Sequence, residues 1–139
     1  MHYRMLRTNL DKPACVSITS RVSLPVIPNP PPLLSVVLPC LNENGSLAAC
    51  IREVKDALVK SGVTWEIIVS DNGSTDGSVE TAHGLGVRVV NTSERGYGNA
   101  VSSGIHAAFS PYVVFADADG TYPLLLVPEL YRRTKSLLN

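Results

Sequence analysis

Short runs of apolar residues recur along the chain from residue 34 onward, separated by stretches with a different apolar spacing. Continuous apolar runs of this length are typical of strands that are covered on both faces. The runs predict four strands, which are Leu34–Leu41, Trp65–Ser70, Val87–Val90 and Tyr112–Ala116.

Helical spacing of apolar residues fills the gaps between these runs. Ser46 is a suitable N-cap for the first helix, and Gly62 is a suitable stop. Apolar positions on one face of that helix are Leu47, Cys50, Ile51, Val54 and Leu58. Further helices are predicted around Val79–His83, over Tyr97–Phe109 and over Pro123–Leu138, the last with Leu125, Leu126, Leu130 and Leu137 available for packing. The alternation predicts an α/β fold with a parallel sheet and right-handed crossovers.

The first 33 residues lack this regularity. Their apolar periodicity is weak, and they end in a proline-rich run at residues 28–32. Because proline continues neither a helix nor a central strand, we expect an extended linker here, with part of the segment disordered. The predicted organisation is a proline-rich extension over residues 1–33 and one domain over residues 34–139.

Composition narrows the class of protein. The 139 residues include 12 Lys and Arg against 12 Asp and Glu, so no basic field favours a nucleic acid as partner. Three cysteines, Cys15, Cys40 and Cys50, show neither an even count nor metal-binding spacing, which favours a reduced, cytoplasmic setting. Cys40 and Cys50 fall on apolar faces, and we expect both to be core residues. No apolar run reaches the roughly 18 residues of a membrane span.

Polar residues follow the end of every predicted strand. Residues 39–44, 71–77, 91–98 and 117–119 all carry acids, amides or glycines. Because ligands of open parallel sheets bind outside the carboxyl ends of the strands, the four loops predict one binding rim. The alternative interpretation is that each loop is ordinary turn chemistry, since Asn, Asp, Gly and Ser are common in turns.

Asp117-Ala118-Asp119 is the most informative of these loops. Alternate residues of an extended segment point to the same side, so both carboxylates can converge on one ion while Ala118 faces away. Oxygen ligands of this kind suit Mg2+ or Mn2+, which often also bind substrate phosphates. A simple turn at Asp119-Gly120 is the alternative.

Three further side chains have candidate roles at the rim. Asp71 can accept hydrogen bonds from a nucleobase, although it could also cap a turn within residues 71–76, where Asp76 is the better candidate for capping. Glu43 can accept from ribose hydroxyls or simply start a helix. Arg95 and the following Gly96-Tyr97-Gly98 can bring a cation and a helix N-terminus near a phosphate.

In sequence, the four loops and their strands resemble the N-terminal half of family 2 glycosyltransferases with the GT-A fold. The closest branch is that of dolichyl- and polyprenyl-phosphate mannose or glucose synthases. The resemblance covers roughly residues 34–130 and rests on LSVVLPCLNENGSLAACI, EIIVSDNGSTDGS, ERGYGNAVSSGI and YVVFADADGTY.

The resemblance implies a role for each matching position. The implied nucleotide-sugar contacts are Pro39, Leu41, Glu43, Val69, Asp71, Asp117, Ala118 and Asp119. Asp117 and Asp119 would bind the metal. Thr121 stands where mannose synthases have a further metal-assisting Gln, so the resemblance implies for it a weaker or water-mediated metal contact. Asn72 stands where many relatives have a second Asp.

The implied reaction is inverting transfer of a hexose from a UDP- or GDP-sugar, with a polyprenyl or dolichyl phosphate as acceptor at the cytoplasmic face of a membrane. Only about 20 residues follow Asp119, so the chain is expected to hold the donor half of such an enzyme, truncated after the Asp-x-Asp motif. The exposed face left by the missing half would favour self-association.

Two alternatives remain at this stage. The first is a non-catalytic nucleotide-sugar-binding module with the same donor site. The second is a haloacid-dehalogenase-type phosphatase, in which Asp117 would attack phosphorus and Asp119 would act as acid and base.

Overall fold

The computed structural model describes residues 4–7 and 26–139 of the chain. Helices and strands alternate along most of this length. In chain order they are β1 (Arg4–Arg7), β2 (Leu34–Cys40), α1 (Asn44–Val59), β3 (Trp65–Asp71), α2 (Ser78–Gly84), β4 (Arg88–Asn91), α3 (Tyr97–Ala107), β5 (Tyr112–Phe115), a 3-10 turn (Leu124–Leu126) and α4 (Val127–Leu138). The four predicted strands and the helices between them are therefore confirmed, with ends shifted by a few residues.

The strands form a single sheet in the order β1-β5-β2-β3-β4. β2 pairs in parallel with both β3 and β5, and β3 pairs in parallel with β4. The register places Cys40 opposite Asp71, and Asp71 opposite Asn91. The carboxyl ends of these strands consequently meet at one edge, as the sequence predicts.

β1 is an element that the sequence analysis did not predict. It pairs antiparallel with β5, from Arg4 opposite Phe115 to Arg7 opposite Tyr112. Four residues with two apolar side chains are too few to show a period, and this strand forms because β5 offers it an open edge. Residues 1–33 are therefore not only a linker. The disorder expected for part of them, and the position of Cys15, lie outside the described residues.

The core has one layer of side chains on each face of the sheet. On one face, Leu34, Val36 and Leu38 of β2 pack with α1, α2 and α4. On the other face, Val37, Ile68 and Val113 pack beneath α3. Every residue of β2 is buried, because the strand lies between two partners and two helical layers. Cys40 and Cys50 are buried and free, as expected.

Several predicted helix details are wrong. α1 begins at Asn44 with Glu43 at the N-cap, not at Ser46, and it ends at Val59, before Gly62. The last predicted helix is split into the 3-10 turn and α4 because Pro128 marks a new helix start. Leucines expected to pack are exposed at Leu125, Leu126 and Leu137. The buried residues of this segment are Leu124, Val127, Pro128 and Tyr131. None of the helices in the described residues is long and apolar enough to cross a membrane.

A polar cluster lies at the amino edge of the sheet, opposite the edge at which the carboxyl ends of the strands meet. The Glu66 carboxylate accepts hydrogen bonds from the Phe109 backbone N–H at 2.7 Å, from Arg88 at 2.8 Å and from the Ser35 hydroxyl. Arg88 also stacks over the Phe109 ring at 4.2 Å. The Glu66 side chain is only 12% exposed. Its three donors satisfy a largely buried charge, as burial of a carboxylate requires.

Gly104 sets the distance between α3 and the sheet. A Cβ at this position would lie 2.3 Å from Val37 Cγ1 and 3.3 Å from Ser70 Cβ. Both neighbours are fully buried, and the branched Val37 side chain has little freedom to move. Only a residue without a side chain lets α3 approach the sheet this closely.

We predict that Gly104→Ala destabilises the chain, although alanine is the better helix former by about 1 kcal/mol. Overpacking a filled core costs about 1–3 kcal/mol and outweighs this gain. Denaturant unfolding followed by circular dichroism measures the change. The matched control is Gly98→Ala in the same helix, where a Cβ meets nothing within 4 Å. Equal stability of the two variants would contradict close packing at Gly104.

Candidate functional site

A cavity of about 260 Å3 lies at the carboxyl edge of the sheet. It is bounded by the end of β2, the loop after β3, the start of α3 and the loop after β5. The lining residues are Pro39, Cys40, Leu41, Glu43, Asn72, Tyr97, Ala100, Asp117, Ala118 and Asp119. Its volume is just below the roughly 300 Å3 at which typical small-molecule sites begin.

The structure brings most of the predicted site residues together in this cavity. Those that line it are Pro39, Leu41, Glu43, Asp117, Ala118 and Asp119. Val69 is fully buried in the core, Asp71 is 4% exposed beneath its loop, and Arg95 and Thr121 are exposed outside the lining. Their contacts with a ligand remain predictions.

Asp117 and Asp119 project from the loop that follows β5. Ala118 between them is 1% exposed and belongs to the core, so it faces away from the cavity as expected, although residues 118–119 form a turn and not an extended segment. Asp117 Oδ1 accepts a hydrogen bond from the Tyr97 hydroxyl at 2.7 Å. Asp119 Oδ1 accepts from the Thr121 hydroxyl at 2.6 Å and from the Thr121 N–H at 2.9 Å. These two bonds lower the pKa of Asp119, which keeps it ionised at neutral pH.

This donor set fits a divalent cation that a ligand helps to hold. Oδ2 of Asp117 and Oδ2 of Asp119 accept no hydrogen bond within the described residues. Among those same residues, no group of three or more His, Cys, Asp and Glu side chains has the geometry of a metal site. Mg2+ commonly takes one or two carboxylates and completes its shell with waters and phosphates. Thr121 donates to Asp119, so its observed role is to orient that carboxylate.

Asp71 and Asp76 shape the loop after β3. Asp71 Oδ2 accepts from the Gly73 N–H at 2.9 Å and from the Ser74 N–H at 3.1 Å. Asp76 accepts hydrogen bonds from the Asn44 N–H at 2.9 Å and from Ser78. These bonds, that from the Ser78 side chain most of all, lower the pKa of Asp76. The capping role expected of Asp76 is therefore confirmed. Asp71 also closes a turn.

Asn72 was not among the predicted site residues, yet it joins two loops of the site. Its Nδ2 donates to the Glu94 carbonyl at 3.0 Å, and its Oδ1 accepts from the Gly96 N–H at 2.8 Å. The side chain is 6% exposed. An amide can satisfy both partners because it carries a donor and an acceptor, whereas an ionised carboxylate only accepts. The Asn in place of an Asp was the only signal in the sequence.

Tyr97 is a second residue that the sequence analysis missed. It is the first residue of α3, follows Gly96 with its φ of 123°, and lines the cavity. Desolvation of its hydroxyl, followed by the hydrogen bond to Asp117, raises the pKa of Tyr97 well above its usual value. The hydroxyl is therefore a stable donor to the carboxylate. Nothing in the chain order relates position 97 to position 117, so only the fold reveals this contact.

Ser46 connects α1 to the acidic loop. Its hydroxyl donates to the Ala118 carbonyl at 2.6 Å, which explains why the predicted N-cap does not start the helix. The bond holds the backbone between the two aspartates against the first turn of α1. The position of the acidic loop thus depends on a helix that begins 73 residues earlier in the chain, at Asn44.

Comparison with known proteins is consistent across sequence and structure. The family model of glycosyl transferase family 2 matches residues 35–136. A low-salt glycan biosynthesis hexosyltransferase of Haloferax volcanii is 38% identical over 105 residues, which are 76% of this chain and 25% of that protein. A dolichol-phosphate mannosyltransferase of Mycosarcoma maydis is 36% identical over 109 residues, covering 71% of this chain and 37% of the relative.

A solved structure has the same architecture. Glucosyl-3-phosphoglycerate synthase from Mycobacterium tuberculosis, in complex with Mn2+, UDP and glucosyl-3-phosphoglycerate, superposes with a TM-score of 0.61 at 33% identity. The match covers 70% of this chain and 37% of the synthase. The chain therefore spans well under half the length of these relatives. The family match over most of the chain, the shared sheet and the acidic loop at its carboxyl edge show that this chain belongs to glycosyl transferase family 2, with the GT-A fold.

Proposed function

We propose that this chain forms the donor site of an inverting glycosyltransferase that moves a hexose from a UDP- or GDP-sugar to a polyprenyl phosphate. The observation that carries the proposal is the cavity in which Asp117 and Asp119 face the end of β2. Acidic groups on one wall can hold a divalent cation that binds a diphosphate, and apolar residues on another wall suit a nucleoside.

The wall formed by the end of β2 would hold the nucleoside. Pro39 and Leu41 supply apolar surface, and the Glu43 carboxylate lines the same cavity. A carboxylate there accepts hydrogen bonds from ribose hydroxyls, since an ionised acid only accepts. Asp71 lies at the level of Cys40 in the sheet, and the N–H edge of a base would have to share a carboxylate oxygen that already accepts from the Gly73 or Ser74 N–H.

Asp117 and Asp119 would hold Mg2+ or Mn2+ together with the diphosphate. The solved relative contains Mn2+ and UDP, which supports a cation of this class here. A divalent cation bound there supplies positive charge that stabilises the departing diphosphate. The chain's own contribution is orientation: Thr121 fixes Asp119, and Ser46 fixes the backbone between the aspartates. Such preorganised groups lower the barrier because they need not reorganise during the reaction.

A phosphate acceptor agrees with the groups in the cavity. The oxygen of a lipid phosphate is already anionic, so it needs little help from a general base. Besides Asp117, two acidic residues line the cavity, Glu43 and Asp119. Both have roles in donor binding. The mannosyltransferase relative is named for a dolichol-phosphate acceptor. We place the reaction at the cytoplasmic face of a membrane, where such a lipid presents its phosphate.

Family membership argues against the phosphatase alternative. Asp117 accepts a hydrogen bond from Tyr97 at the wall of a GT-A cavity, and the comparisons all identify glycosyltransferases. A donor-binding module without turnover remains the competing proposal. Such a module would bind the donor as the enzyme does and would differ from it only in forming no product.

Asp119→Asn tests the donor site. Loss of one ligand charge should weaken Mn2+-dependent binding of UDP or GDP by more than about 100-fold, since removing even an outer hydrogen-bond partner of a metal ligand costs ~10–100-fold. Isothermal titration with and without Mn2+ measures the effect. Asp56→Asn, at an exposed acid of α1 outside the cavity, is the matched control. Full Mn2+-dependent affinity in Asp119→Asn would remove the basis for the donor site.

Turnover is tested with a radiolabelled UDP- or GDP-hexose and polyprenyl phosphate in detergent micelles. We expect a glycolipid product whose anomeric configuration, measured by NMR, is opposite to that of the donor. A single displacement inverts the configuration at the anomeric carbon. Retention of configuration would contradict the inverting mechanism. Donor binding without any product would favour the non-catalytic module.

A further inference from the structure

Three loops at the carboxyl edge are connected by side-chain hydrogen bonds that converge on Asp117. Asn72, in the loop after β3, holds the Glu94 carbonyl and the Gly96 N–H in the loop before α3. Tyr97 is the next residue, and its hydroxyl donates to Asp117 Oδ1. Asp117 therefore receives its hydrogen bond from a residue whose backbone is clamped by another strand's loop.

Asn72 lies in the buried part of the site, whereas Tyr97 is largely exposed. Asn72 is 6% exposed and uses both ends of its amide, whereas Tyr97 is 57% exposed. A residue so exposed adds little to the core. The contact of its hydroxyl with Asp117 is consequently its main interaction at the site. A phenol is an O–H donor to an ionised carboxylate, and such charge-assisted bonds are about twice as strong as neutral ones.

The bond leaves Asp117 able to bind a ligand. An ionised carboxylate has about four lone-pair positions on two oxygens. Tyr97 uses one of them on Oδ1. A hydrogen bond to one oxygen restricts rotation of the carboxylate and thereby fixes the direction of the other, as outer partners of metal-binding carboxylates do.

We propose that Tyr97 is the positioning residue for Asp117, holding its carboxylate in the orientation that binds the cation, and that Asn72 in turn holds Tyr97 in place. This inference rests on the proposed donor site. It adds an account of why that site binds its cation. Asn72 then acts through the loop that it clamps and not through the base.

The test uses Tyr97→Phe in the full chain. This variant keeps the ring and removes the hydroxyl. We expect the affinity for Mn2+ in the presence of UDP, measured from the EPR signal of free Mn2+, to fall about 10-fold. UDP affinity in EDTA should stay within about twofold and the circular dichroism spectrum of the folded chain should stay unchanged, because the hydroxyl bonds the Asp117 side chain and no backbone group of the fold. Tyr131→Phe, which removes a hydroxyl from a buried residue of α4 outside the cavity, is the control.

A double-mutant cycle tests the role of Asn72. Asn72→Ala should weaken Mn2+ binding as well, and its effect should not add to that of Tyr97→Phe, because both changes act through one carboxylate. Full additivity would contradict the connection between the two residues. If Asn72→Ala fails to fold, Asn72→Asp, which can accept from the Gly96 N–H but cannot donate to the Glu94 carbonyl, replaces it in the cycle with the same expected non-additivity.

Three further outcomes overturn the proposal in distinguishable ways. Mn2+ affinity within about twofold of wild type in Tyr97→Phe, or an equal loss of UDP affinity in EDTA, would overturn the role of Tyr97 while the donor site stands. Failure of the wild-type chain to bind either Mn2+ or UDP would overturn the proposed donor site and the positioning role together.

Discussion

The structure depends on the parallel pairing of β2 with β3 on one side and with β5 on the other. A strand in this position has its backbone groups satisfied by both neighbours and its side chains covered on both faces. This is why the whole of Leu34–Cys40 is buried. The pairing also fixes where the strands end. Leu34 lies opposite both Trp65 and Tyr112, so the loops that follow all emerge at the same edge.

The loops at that edge are held by one another. Asp76 receives the N–H at the start of α1, Ser46 donates to the backbone of the acidic loop, and Asn72 binds the loop before α3. These bonds use polar groups that would otherwise need water. They also leave particular atoms facing the cavity, notably the carboxylates of Glu43 and Asp119. A site assembled in this way has its ligand-binding groups oriented before a ligand arrives, which reduces the cost of binding.

The sequence carries enough information to predict the parallel sheet and the rim of polar loops. Apolar runs and helical spacing reflect burial directly, so the order of elements and the edge at which the polar loops meet follow from them. Other features depend on three-dimensional neighbours. β1 forms because the edge of β5 is available to it. Ser46 looks like a cap because its type suits one, yet its partner is 72 residues away. The contact of Tyr97 with Asp117 is equally invisible until the strand order is known.

β3 carries a charged group near each of its ends. Glu66 lies in the cluster with Arg88 at the amino edge, and Asp71 lies at the carboxyl edge. Four residues of strand lie between them, and the five steps from residue 66 to residue 71 span about 17 Å at ~3.3 Å per residue. The Glu66 and Asp71 side chains are both largely buried, and salt screens buried charges far less than exposed ones. The charge of Glu66 is instead balanced locally by Arg88 at 2.8 Å, so the amino edge adds little to the field that a ligand meets at the other end only while that ion pair is intact.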